Sequence, residues 1–221
     1  MRRSVIPELL DDDSGTAAEI ACSLRDLRHI NAWFGGMRTT TELLRRVAHV
    51  SGLRTLSLLE VGSGAGNVPL AAGRVLARRG IGLQITLLDR VSSHLPQASV
   101  PAIAGDALRL PFRDGAFDVV SCSLLAHHFE PDTLVTFAQE SLRVSRQAVL
   151  INDLIRSRLH LLLVYLGLPL FHSRITWHDA PASVKRSYTC AEMRRFMADT
   201  NASKVEVSRH FLFRIGVLLW K

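Results

Sequence analysis

The stretch Thr55-Leu56-Ser57-Leu58-Leu59-Glu60-Val61-Gly62-Ser63-Gly64-Ala65-Gly66-Asn67-Val68 decides how the chain is read. Its first seven residues are a short, mostly apolar run bounded by glycine, the mark of a buried strand. Three glycines at alternate positions then let the backbone turn tightly and come close to a ligand. A helix pattern opens at Val68. The order strand, glycine loop, helix presents backbone N–H groups at a helix N-terminus. The spacing is G-x-G-x-G, with Asn67 where a dinucleotide loop has its third glycine. The acid Glu60 stands just ahead of the loop. A carboxylate there repels a diphosphate and suits a ligand carrying positive charge, such as an amino-acid ammonium or a sulfonium.

Downstream, the same alternation repeats. Leu83–Asp89 reads as a second buried strand, Val100–Ala104 as a weaker third, Phe117–Cys122 as a fourth and Gln147–Asn152 as a fifth. Helices are expected over Val68–Arg79 and Asp132–Arg143. Short apolar strands alternating with helices make a parallel sheet of βαβ units. Ligands on such sheets bind beyond the carboxyl ends of the strands. Glu60, Asp89 and Asp106 would all lie along that rim. Asp89 follows Gly66 by 23 residues, a position suited to both ribose hydroxyls; the alternative is a helix N-cap. Asp106, in Gly105-Asp106-Ala107, suits an adenine amino group.

Upstream, residues 1–16 read as a frayed lead-in, with turn chemistry at residues 11–15. A helix from Thr16 carries Ile20, Leu24, Leu27 and Ile30 on one face and stops at Trp33-Phe34-Gly35-Gly36. A second runs from about Thr40 to Val50. Trp33 either folds over the site as part of a lid hinged at the glycines, or staples the core. Residues 153–188 interrupt the alternation with an apolar insert. After a helix over Cys190–Asp199, Lys204–Ser208 and Phe211–Trp220 close the chain as a hairpin. Residues 1–50 are thus a helical cap, and residues 51–221 one domain with a lid-like insert.

Composition bounds the partners. The chain has 221 residues, 48% hydrophobic and 21% charged, enough for one sizeable core. The net charge of +7 comes from 24 Arg and 3 Lys scattered as singles and pairs. A nucleic-acid binder would cluster them, so nucleic acid is disfavoured. Three cysteines without a CxxC pair argue against a disulfide framework and a structural zinc site, and fit a reducing cytoplasm. The apolar run Leu159–Phe171 is shorter than the roughly 20 residues that span a bilayer. A peripheral membrane contact or a substrate-facing role remains open for it.

Taken together, Glu60–Gly66, Asp89, Gly105-Asp106-Ala107 and Leu110-Pro111-Phe112-Arg113-Asp114-Gly115-Ala116-Phe117-Asp118-Val119-Val120 resemble the successive motifs of class I S-adenosylmethionine-dependent methyltransferases. The resemblance implies an α/β Rossmann-like, seven-stranded mixed sheet of order 3-2-1-4-5-7-6, with the last strand antiparallel. It implies S-adenosylmethionine as cofactor, its methionine part near Glu60 and Gly62, its ribose on Asp89 and its adenine by Asp106 and Ala107. Ser63, Gly64, Gly66, Arg90 and Ser123 complete the expected cofactor set. It does not identify the acceptor.

For the acceptor, Ala126-His127-His128-Phe129 resembles a stretch of ubiquinone- and menaquinone-type methyltransferases that borders the methyl group. A phenol of pKa about 10 is helped by a base of pKa about 6.5, so His127 and His128 are base candidates; each could instead cap a helix or pack behind the loop. Adjacent side chains point different ways, so the pair is not a metal site by spacing, and no metal is expected. The insert adds Asp153, Arg156, Tyr165 and Trp177 as substrate-binding candidates and His178 as a further catalytic one. Parts of it resemble a bacterial subgroup associated with aromatic-polyketide and phenolic-lipid genes. The leading expectation is O-methylation of a small hydrophobic phenol, quinol or polyketide-derived hydroxyl. C-methylation of a quinol-type ring and cofactor binding without transfer are the alternatives.

Overall fold

Seven strands form one sheet in the order β3-β2-β1-β4-β5-β7-β6 in the computed structural model, which describes all residues except 12–13, 93–94 and 96–99. Part of the turn expected at residues 11–15 lies outside the described residues. The strands are β1 (Thr55–Val61), β2 (Gly82–Asp89), β3 (Ala102–Ala104), β4 (Phe117–Ser123), β5 (Ser145–Leu154), β6 (Lys204–His210) and β7 (Arg214–Trp220). Strands β1 to β5 pair in parallel, and β7 runs antiparallel to both β5 and β6. The sheet order and the antiparallel closing strand are those implied by the motifs.

Alternate residues of the central strands face opposite layers. Leu59 and Val61 of β1 join Val120 and Cys122 of β4 in a core with α4 (Pro131–Val144) and α7 (Cys190–Ala198). Leu56 and Leu58 face the other way, onto Leu44 and Val47 of α2 (Gly36–Ser51) and Ala72 and Leu76 of α3 (Asn67–Ala77). Both faces are therefore covered, as a parallel sheet requires.

Helix α1 (Ala17–Trp33) starts at Thr16, whose hydroxyl accepts from the Glu19 N–H while the Glu19 carboxylate accepts from the Thr16 N–H. This capping box is the local signal that fixes its start. The apolar stripe of α1 does not go into the core. Its fully buried positions are polar: Ser23 meets Thr176, Asp26 accepts from the His172 and Ser173 backbones, and Asn31 accepts from Arg214. Helix α2 begins at Gly36 rather than near Thr40, because Gly35 takes the left-handed turn (φ 81°) and lets the second helix follow at once.

The insert is helical, with α5 (Arg158–Gly167), a 3₁₀ turn at Leu168–Leu170 and α6 (Arg174–Arg186). The lead-in is not frayed. Ser4 N–H donates to the Lys185 carbonyl, and the Arg3 guanidinium bonds Glu130 and the carbonyls of His127, Phe129 and Arg186. The carboxylate of Asp179 accepts from the Leu9 and Leu10 N–H groups. Residues 1–11 form a strap tied to the insert and to the loop after β4, through partners more than a hundred residues away.

Candidate active site

A cavity of about 840 Å³ opens beyond the carboxyl ends of β1, β2 and β4. One end is backbone. Gly62 (φ 65°) and Gly66 (φ 70°) are left-handed, and a Cβ would come within 2.9 Å of Leu125 at the first and 2.6 Å of Leu87 at the second. Only glycine fits either position. The loop is held by Asp89, which accepts from the Gly64 N–H at 2.7 Å and from the Val91 N–H at 3.0 Å. Asp106 accepts from the Leu108 N–H at 2.9 Å and remains exposed.

Glu60 is 1% exposed, and Ser121 donates a hydrogen bond to it. Burial raises its pKa to about 7 despite that hydrogen bond. A desolvated carboxyl in the cavity wall is complementary to a cation brought in by a ligand. The buried Ser123 hydroxyl stands beside it, close enough to oppose that rise. Glu60, Gly62, Ser63, Gly64, Asp89, Arg90, Asp106, Ala107 and Ser123 all line this end, while Gly66 lies beneath it as the N-cap of α3. A sulfonium cofactor with an ammonium, a ribose and an adenine fits these groups.

The other end is made of side chains. His127 and His128 sit in a 3₁₀ turn at Ala126–His128, just after Leu124, a non-glycine residue at φ 58°. Contrary to the expected divergence, their rings lie 4.2 Å apart at 40°, because the tight turn brings neighbouring side chains together. His127 donates through Nδ1 to Asp153 Oδ1 at 2.7 Å, and its Nε2 lies 3.3 Å from Glu8 Oε1. Burial alone would lower the His127 pKa, but the charge and hydrogen bond of Asp153, with Glu8 behind, push it to about 10. His127 is therefore held as a cation at neutral pH and is not a free base. The His128 Nδ1 bonds Asp11 at 2.9 Å, and its Nε2 faces Glu8 at 3.9 Å. Burial acts to raise the pKa of Glu8, but the bond and charge of His127, with His128 and Ser183, keep it below the usual carboxylate value.

Between the ends the walls are mostly apolar. Leu24, Leu27, Ile30 and Phe34 come from α1, and Leu163, Val164, Leu168 and Phe171 from the insert. The stripe read on α1 is thus the wall of the cavity. Leu212 and Phe213, both at positive φ in the β6–β7 turn, close one side. His160 also lines the cavity; burial lowers its pKa, and its Nδ1–H is placed to donate to the Ile155 carbonyl at 2.9 Å.

Several sequence candidates lie elsewhere. Trp33 is 57% exposed and stacks on His29 one helical turn back. Trp177 donates its indole N–H to the Phe171 carbonyl, bracing the insert from outside. The Tyr165 hydroxyl accepts from Lys185 at the surface. His178 bonds its neighbour Asp179 and points outward. Arg156 is buried away from the cavity, on Glu192 and the Ser187 and Met1 carbonyls. Asp153 does not line the cavity; it stands behind His127. Glu8, Asp11 and His160, which do line it, carry no local motif.

Residues 59–151 match the family of methyltransferase domains. Solved structures share the fold at low identity. The plantazolicin methyltransferase BpumL in complex with SAH is 12% identical, with a TM-score of 0.71 over 96% of this chain and 93% of its own. An S-adenosylmethionine-dependent methyltransferase from Aquifex aeolicus is 15% identical, with a TM-score of 0.54 over 81% and 87%. Magnesium protoporphyrin IX methyltransferase from Synechocystis PCC 6803 with bound SAH is 13% identical, with a TM-score of 0.56 over 85% and 84%. Among curated proteins, no sequence matches the chain. Residues 59–151 thus match a methyltransferase domain, and the whole sheet has the fold of S-adenosylmethionine-dependent methyltransferases of known structure.

Proposed function

We propose that the protein transfers a methyl group from S-adenosylmethionine to a hydroxyl of a small hydrophobic aromatic acceptor, a phenol, quinol or polyketide-derived ring of secondary metabolism. The observation that carries this reading is the division of the cavity. Mostly apolar walls run from the cofactor rim to a polar cluster of Glu8, Asp11, His127 and His128, with Ser23, Arg28, Asn31 and Thr176 as further polar lining. Such a pocket takes an apolar body and orients it through a few polar groups.

The cofactor supplies an electrophilic methyl on a sulfonium; the chain's residues need only align the oxygen and help remove its proton. Glu8, held as a carboxylate, accepts a hydrogen bond from the hydroxyl. His127, held as a cation, donates rather than accepts. His128 and the neutral His160 are the two remaining base candidates among the lining histidines.

No described helix is long and apolar enough to cross a membrane. We place the protein in the cytoplasm, a reading that the three free cysteines favour. Leu159, Leu162, Leu166 and Leu170 of the insert are exposed beside the cavity wall. They give an apolar acceptor a route in from a membrane surface.

The test is transfer of a ¹³C-labelled methyl to a panel of phenols and quinols, with the product read by NMR. An oxygen-bound methyl is expected. Label found only on ring carbon, or no transfer to any hydroxyl compound, overturns the reading.

A further inference from the structure

Three ligand atoms converge on one point of the cavity wall: His127 Nε2, His128 Nε2 and a Glu8 carboxylate oxygen, all within 4.8 Å of one another. Glu8 Oε1 stands 3.3 Å from the first nitrogen and 3.9 Å from the second. A first-row ion with bonds of about 2.0–2.1 Å needs ligand atoms about 3–3.5 Å apart. Glu8, which rides on the strap, must move closer to His128 for both bonds to form.

The second observation is the surroundings of His127 Nε2. His127 is 2% exposed, and this nitrogen faces the Glu8 carboxylate at 3.3 Å without reaching good hydrogen-bond geometry. A buried ring nitrogen so loosely satisfied calls for an explanation. Its other nitrogen is fully engaged by Asp153 at 2.7 Å. His128 repeats the arrangement, with Nδ1 on Asp11 at 2.9 Å. Metal-bound histidines characteristically give their second ring nitrogen to a carboxylate, which fixes the ring and makes the ligand more basic. Here both do. Glu8 is positioned in turn by the Ser183 hydroxyl at 2.8 Å.

We infer that Glu8, His127 and His128 bind one divalent transition-metal ion of the zinc class, in a two-histidine, one-carboxylate set with open positions toward the cavity. This departs from the expectation drawn from spacing, which took adjacent histidines to diverge. The inference rests on the reading that the acceptor's hydroxyl comes to this end. Binding the ion displaces the Nε2 proton of His127 to water; on an open position the hydroxyl oxygen then binds as the oxyanion, its own proton also leaving to water. The ion thereby presents a deprotonated oxygen without requiring either histidine to act as base.

The test uses the full chain, stripped with a chelator and titrated with Zn²⁺ by calorimetry; Co²⁺ loading is followed by visible absorption. One ion per chain is expected. Glu8→Gln and His128→Ala, both away from the sheet core, should each weaken binding about 100-fold or more, and Asp11→Ala about 10-fold. His49→Ala, an exposed histidine on α2, should leave it unchanged. Cofactor binding measured on the same samples shows that the variants are folded. Absence of stoichiometric binding, or affinity unmoved by both Glu8→Gln and His128→Ala, overturns the site. Methylation of a hydroxyl that survives with no metal bound overturns its role while leaving the O-methyl reading intact. Stoichiometric binding lost in both variants, with no hydroxyl methylated, upholds the site and removes that reading.

Discussion

The two ends of the cavity are built by different means. The cofactor end is a continuous piece of chain bent by left-handed glycines and held by Asp89, at the end of the neighbouring strand. The acceptor end is assembled from the strap, the loop after β4, the end of β5 and the insert, through contacts such as Arg3 to Glu130 and Leu9 to Asp179. The first is backbone geometry, which tolerates little change. The second is a set of side chains that other sequences could replace without disturbing the sheet. One scaffold can thus keep a fixed cofactor and change its acceptor, because the two depend on separate parts of the structure.

Variants of each end can break or sharpen this division. The largest effect is expected for Asp89→Ala, which removes a carboxylate bonded to two backbone N–H groups of the rim and assigned to the ribose. Loss of charge-assisted hydrogen bonds at about 1.5–3 kcal/mol each predicts cofactor affinity weakened about 10²- to 10³-fold by calorimetry. Glu8→Gln should change it less than about threefold. An equal loss in both would show that the ends are not independent.

Glu60 gives the next effect, through pH. Its folded pKa of about 7 exceeds the ordinary glutamate value of 4.5, so the folded protein holds this proton more tightly than the unfolded chain does. The stabilisation is complete below about pH 4.5 and is lost as pH rises through about 7, on the order of 3 kcal/mol in all. Cofactor affinity should run the other way, rising through the same range as the carboxylate forms to meet the ligand's positive charge. Glu60→Gln should flatten both profiles; a wild-type protein with no slope between pH 5 and 8 would contradict the assignment.

Arg3→Ala probes the strap. Its guanidinium is nearly buried, bonds Glu130 and three carbonyls, and lies over the Tyr188 ring at 4.7 Å. About 2 kcal/mol of stability should be lost in denaturant titration, together with methyl transfer, while the cofactor still binds. The smallest effect belongs to the turn at the cavity's side. Leu212→Gly relieves a left-handed leucine at φ 46° and should raise stability by up to about 1 kcal/mol. A decrease would mean that its contacts with the cavity wall outweigh the strain.

How much of this could be read from the chain follows from the same division. Strand, loop and acid at the cofactor end follow one another closely in the chain, so order and spacing alone place Glu60, Gly62 and Asp89 on one rim, and the structure brings them together there. The sheet's closing hairpin was legible from its apolar runs. Glu8 and Asp11 were not, because acidic residues in a lead-in rich in Asp look like solvated turn chemistry until His127, Ser183 and His128 meet them across the fold. On α1 the apolar face was visible but not its destination; a stripe facing a cavity has the same period as one facing a core. Trp33, Tyr165 and Trp177 misled for the opposite reason: large aromatic side chains suggest a pocket, yet these three brace the outside.

Arg214 carries a consequence in time. It is fully buried at the start of β7, and burial lowers its pKa to about 10. Its guanidinium grips the Phe34 carbonyl and the Asn31 side chain, at the C-terminal end of α1. The helix that walls the acceptor end is thus moored to the last strand laid down. Contacts spanning some 180 residues form late in folding, because the intervening chain must first be ordered. The cofactor rim is closed by segments near one another in the chain and can take shape earlier. In kinetic experiments, cofactor binding should therefore be recovered before the acceptor chamber is sealed.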